Sequence, residues 1–235
     1  AEQKNYAQIS HYYALLTLAE ELKIPLVQIA NTAEQAQTSF SSESLEAIDL
    51  TAQSALTLVE GLLLSLRLYT TEPPQVQPIA LGAVLQDTAH ALSGFARQRG
   101  CSLQLHMGGR ATLVMADPSI LRAALASLGL MFIEASSQQA DASVVMLAAH
   151  RSRWGMVTGL YSEQQGLSTE LYRRGRNLIG RAAHPFSQFV AQNGAGAIIA
   201  DALLHSMSSQ LHVSHHQNQA GLAATLLPSQ QLNLL

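Results

Sequence analysis

The sequence predicts an α+β protein in two parts, a long helical hairpin followed by an α/β sandwich. Three observations lead there. The first seventy residues hold no glycine before Gly61 and one proline, Pro25, so little in them punctuates a helix. Apolar residues recur in this region at alternating steps of three and four. Pro73, Pro74 and Pro78 then close it, and the pattern changes to short alternating stretches separated by helices.

The first apolar seam runs through Tyr12, Leu15, Ala19, Leu22, Leu26, Ile29, Ala33, Ala36 and Phe40 and predicts a helix over about 5–40. Pro25 is expected to kink it. The second runs through Leu45, Ile48, Ala52, Ala55, Val59, Leu62, Leu66 and Tyr69 and predicts a helix over 43–70. Ser41, Ser42 and Ser44 lie between them, with Glu43 and Glu46 placed to favour a helix N-terminus. A hairpin cannot bury two coiled-coil seams within itself. Two copies forming a four-helix bundle is the economical solution, so a homodimer is expected. The competing arrangement packs the hairpin on its own C-terminal half.

The domain plan is therefore a hairpin at 1–70, a Pro-rich linker at 71–78 and a sandwich at 79–235. In the sandwich, 81–98 reads as helix, 102–106 and 112–115 as strands flanking a Gly108-Gly109 turn. Asp117-Pro118 opens a helix to about Ser136, with an N-cap and a proline at its first position. Strands follow at 143–149 and 156–161, a glycine-flanked helix at 197–207, and two strands near 210–216 and 222–227.

Composition removes several classes. The chain is 48% hydrophobic and 12% charged with net charge −3, and its only lysines are Lys4 and Lys23. A nucleic-acid protein needs a clustered basic surface, so none is expected as partner. One cysteine, Cys101, excludes an intramolecular disulfide or cysteine-zinc framework; it reads as buried and inert. No unbroken apolar run reaches spanning length and no signal-peptide pattern opens the chain, so a cytoplasmic setting is expected.

In its order of elements the chain resembles the catalytic core of a sensor histidine kinase, a dimerisation and phosphotransfer hairpin joined to a Bergerat-type (GHKL) ATP-binding domain. Four motifs carry the comparison. The family's phosphoacceptor stretch is similar to Ala19-Glu20-Glu21-Leu22-Lys23-Ile24-Pro25-Leu26, but the acceptor histidine is Glu20, and a carboxylate cannot become a phosphohistidine. His11 is too far along the helix to substitute. The family's Asn-rich helix corresponds to Ser127–Ser136, with Met131 at the Mg²⁺-binding position and Glu134 where a basic residue is frequent. The Asp-X-Gly-X-Gly motif corresponds to Ser162-Glu163-Gln164-Gln165-Gly166; the adenine-binding Asp is Ser162, and Glu163 is displaced by one residue. The phosphate loop corresponds to Gly194-Ala195-Gly196 leading into a helix. That Gly-X-Gly equally suits a tight loop packing a helix on the sheet. Arg173, Arg174, Arg176 and Arg181 lie where the family has its ATP lid and read as a solvated face or an anion contact.

The resemblance thus implies a histidine pseudokinase, a dimeric scaffold or adaptor binding a receiver-domain (response-regulator) or other regulatory partner. Glu20, Glu21, Lys23 and Pro25 form the partner-binding region. Met131, Glu134, Ser162, Gly166, Gly194 and Gly196 form a degenerate nucleotide pocket. No catalytic residue, metal or cofactor is assigned, and ATP and Mg²⁺ are not expected. The alternative is a divergent, active ATP-binding histidine kinase, motivated by the Gly194/Gly196 loop and the arginines. His205, His212, His215 and His216 read as polar strand decoration rather than a zinc site, which needs three or four convergent ligands.

Overall fold

The computed structural model describes residues 22–38, 41–70, 73–108, 113–137, 143–163 and 195–229. Helix α1 spans Lys23–Thr38 and α2 spans Ser42–Thr70, and the two pack together as the expected hairpin. Ser41 caps α2, its Oγ accepting from the Ser44 backbone N–H at 3.1 Å, which satisfies a free donor of the first turn. Pro25 sits in the first described turn of α1; the kink expected there falls on residues partly outside those described.

The seam of α2 divides in two. Leu62 is 4% exposed and lies in the core, whereas Leu45 is exposed; Leu56 and Leu63, which lie off the seam, are exposed too. The buried part packs on the chain's own sandwich, against helices α3 (Leu81–Gln98), α4 (Pro118–Ser137) and α5 (Ala195–Ser206). The competing arrangement therefore holds for α2, whose first half also reaches the sandwich where Gln98 Nε2 donates to the Ala47 carbonyl at 3.1 Å. Ile24, Leu26 and Val27 of α1 remain exposed with Leu45.

The linker is shorter than expected. Strand β1, Gln77–Ala80, begins inside 71–78 and pairs antiparallel with β3, Leu113–Ala116. Pro78 is tolerated because a two-stranded sheet is all edge. The larger sheet has the order β2-β4-β5-β7-β6, from Ser102–Met107, Val144–Ser152, Gly155–Ser162, Gln219–Leu226 and Leu211–His216 respectively. β2 and β4 are parallel and the other neighbours antiparallel. The two strands around Gly108-Gly109 do not pair with each other: one joins the large sheet and the other the small one.

One face of the large sheet carries Leu147, Leu160 and Leu222 into a core shared with Leu85, Leu121, Leu128 and Phe132 of the helices. α4 is buried without interruption from Ala124 to Ile133. A helix apolar all round is an interior helix. Such a helix also passes a membrane test on length and hydropathy, as does 42–68 of α2.

Asp117 fixes the start of α4 and the path of the linker. Its Oδ1 accepts from Ser119 Oγ at 2.6 Å, Ser119 N at 3.0 Å and Ile120 N at 3.3 Å, and its Oδ2 accepts from Gln75 N at 2.8 Å. Burial pushes its pKa up, but the Ser119 hydroxyl and these backbone donors outweigh it and hold the carboxyl below 3.8. Asp117→Ala is expected to cost about 1–2 kcal/mol in urea unfolding at neutral pH. Because the folded pKa is depressed, this contribution is whole above 3.8 and is lost as pH falls through the folded value. The wild-type and D117A unfolding midpoints should therefore converge in strong acid.

Candidate functional site

A cleft of about 490 Å³, including its open mouth, lies between the hairpin and the sandwich. α1 contributes Ile24, Pro25 and Gln28, and α2 contributes Ser54, Ala55 and Leu58. Phe95 and Arg99 come from the end of α3, Leu130, Met131 and Glu134 from α4, and Gly196 from the first turn of α5.

Arg99 ties these elements together. α3 ends at Gln98, and Gly100, with φ +67°, turns the chain away, a backbone state that glycine enters at little cost. Arg99 is left projecting at the helix end. Its Nη2 donates to Gln28 Oε1 at 2.7 Å, its Nε lies 3.0 Å from Glu134 Oε2, and its guanidinium stands 5.1 Å from the Phe95 ring centroid. Burial raises the Glu134 carboxyl above 4.5, and the Arg99 charge opposes that rise. Glu134 is therefore not the bare negative charge that the sequence alone suggests, because much of its field closes on Arg99.

Met131 is 4% exposed and belongs to the core. Gly196 is buried for a packing reason. A Cβ there would stand 2.3 Å from the Ser127 carbonyl oxygen and 2.9 Å from Met131 Cβ. α5 lies so close on α4 that only hydrogen fits between them. Gly61 does the same for α2, where a Cβ would meet Ile199 at 2.9 Å and Ser127 Oγ at 3.0 Å.

The structure thus gathers Pro25, Met131, Glu134 and Gly196 into one cleft. Ser162 is not among them: it is buried at the end of β5, opposite Val145 and Ala220. Glu163 follows it and is exposed. Lys23 is exposed at the start of α1. Glu20, Glu21, Gly166, Gly194, His11 and the four lid-region arginines lie outside the described residues. Arg99, Gln28 and Phe95 were missed. A basic residue beside a helix-ending glycine reads as an ordinary partner of the helix dipole, and nothing in the sequence aims it at Glu134. Of the C-terminal histidines, His205 and His215 are exposed, and among the described residues no group of three His, Cys, Asp or Glu is arranged to hold a metal ion.

No family model and no curated protein matches this sequence. Solved structures do match its fold. The Acinetobacter baumannii histidine kinase AdeS aligns over 90% of this chain and 98% of its own, with 13% identity and a TM-score of 0.52. Histidine kinase ThkA, in complex with response regulator protein TrrA, aligns over 89% of this chain and 59% of its own, at 14% identity and TM-score 0.54. Full-length ShkA, in complex with AMPPNP, aligns over 96% of this chain and 46% of its own, at 18% identity and TM-score 0.51. The chain has a histidine-kinase-like fold. At these identities the likeness is one of architecture alone, a helical hairpin followed by an α/β sandwich. Within this fold, the cleft lies where the hairpin and the sandwich face each other.

Two substitutions test this geometry. Arg99→Ala leaves Glu134 without its counter-charge and Gln28 without its donor. It should lower stability by about 1–3 kcal/mol in denaturant unfolding, and an Arg99/Glu134 double-mutant cycle should give a coupling of roughly 0.5–3 kcal/mol. Gly196→Ala forces α5 off α4 and should cost about 1–3 kcal/mol by overpacking, read as a shift of the thermal midpoint.

Proposed function

We propose that this chain is a histidine-kinase-like signalling protein that acts by binding rather than by phosphoryl transfer. In this reading it is a cytoplasmic dimeric scaffold or adaptor whose partner is a receiver domain or another regulatory protein. The observation that carries the proposal is the packing of α4 against α5. The position equivalent to the Mg²⁺ ligand is a buried thioether, and Mg²⁺ requires oxygen donors. The glycine equivalent to one of the phosphate-cradling residues is occupied by helix contact. These residues do not fit Mg²⁺–ATP. Loss of the metal position removes the charge neutralisation on which phosphoryl transfer depends, and Glu20 in place of the histidine removes the nucleophile.

Two further features support the binding role. The hairpin keeps Ile24, Leu26, Val27 and Leu45 exposed, apolar surface of the kind a second copy or a docked partner would cover. ThkA, similar in fold, is seen with a response regulator, and by analogy the partner proposed for this chain is of that class.

Calorimetry with Mg²⁺–ATP at about millimolar concentration should give no binding heat and no rise in thermal midpoint. A ligand at 100 times its Kd would stabilise the fold by about 2.7 kcal/mol, so a clear upward shift would restore the active-kinase reading. Light scattering on the same sample should give the mass of a dimer. Glu20→Ala should weaken affinity for a receiver-domain partner, and unchanged affinity would remove Glu20 from the interface.

A further inference from the structure

Three histidines from three strands meet on the face of the large sheet opposite the helices, beside a small buried cluster of Met146, Ala148, Val157, Tyr161 and Ala223. His106 lies near the end of β2, His150 near the end of β4, and His216 at the end of β6. β2 and β6 are the opposite edges of this sheet. Even so, His216 Nε2 and His106 Nδ1 are 2.8 Å apart. The rings of His150 and His216 stack with centroids 4.8 Å apart and planes 13° from parallel. Tyr161 closes the group, its ring 5.4 Å from His216.

Opposite edges can touch only if the sheet curls towards this face. Small residues ease it, since Ala148, Gly159, Gly221 and Ala223 lie between the edges, with Met146, Val157 and Tyr161 buried beside them.

The contacts disfavour charging more than one ring. In a His–His hydrogen bond one ring must accept through an unprotonated nitrogen. Two stacked imidazolium ions at this separation repel. No described acid offsets such a charge. The titratable groups on this face are His106 from β2, His150 from β4, Tyr161 from β5, and His212 with His216 from β6. β7 contributes none, and Arg151 of β4 alternates to the other face. Glu163, just past β5, is exposed and forms no ion pair with the cluster. His150 Nδ1 is buried without a hydrogen-bond partner.

We propose that His106, His150 and His216 form a proton-operated clasp. When neutral, they hold the two edges of the sheet together across this face. When protonated, they repel, and β2 and β6 separate around Tyr161. Burial, and next the charge of neighbouring histidines, hold His150 and His216 below the ordinary 6.5. The sign follows: the unfolded chain takes the protons more readily, so the clasp stabilises fully above about pH 6.5 and less as pH falls below it.

The test uses the full chain in buffer with a metal chelator, so that no bound ion stands in for a proton. Thermal midpoints are measured from about pH 8 to about pH 5 for the wild type, His216→Gln and His106→Gln. Glutamine keeps a hydrogen-bonding group but does not titrate. The wild type should lose roughly 2–4 °C more than either variant across this range. Imidazole NMR titration of the unmodified chain should place His150 and His216 below 6.5, and acid should accelerate amide exchange in β2 and β6 before β5 and β7. Parallel wild-type and variant profiles, or titration of His150 at or above the ordinary value, would overturn the clasp. If neither variant folds, the NMR titration of the unmodified chain decides alone.

Discussion

The closeness of α4 and α5 is the constraint on which the rest of the structure depends. α4 is buried along most of its length, so every element around it must be shaped to fit it. At Gly196 the fit leaves no room for a Cβ, and at Gly61 the hairpin's second helix is drawn into the same contact. Interiors packed at crystal-like density do not deform gradually. The hairpin is therefore part of the folded core and not a separate rod tethered by prolines.

That one contact reaches into the functional reading. A nucleotide-binding version of this architecture needs the end of α5 to present free backbone N–H groups, and it needs an oxygen ligand on α4. Here the same two helix faces are closed on each other around Met131. The polar chemistry of the cleft moves instead to Arg99, which joins Gln28 of the hairpin to Glu134 of the sandwich. This fixes how the two parts face each other, and a fixed relative placement suits a protein that presents a surface.

Much of the scaffold was legible in the sequence because it rests on local rules. The seams at steps of three and four, Asp117-Pro118 as a helix opening and the alternating strands needed only neighbours along the chain. Where local reading failed, the cause was a distant partner. Pro78 reads as a breaker until Met115 is seen across from it. Leu45 and Leu62 belong to one seam by spacing, yet one is exposed and the other lies in the core, because only Leu62 falls where α2 lies closest on the sandwich helices.

The sequence by itself determined the order of helices and strands apart from β1, the helix capping and the chemical character of Glu20, Met131 and Ser162, since side-chain identity and short-range periodicity are carried by the chain. The tertiary structure alone decided that Gly196 is a packing glycine, that Arg99 neutralises Glu134, and that His106, His150 and His216 meet. Each of these depends on groups far apart in sequence being brought within a few ångströms, and that proximity comes from burying the common core, about which no single segment carries information.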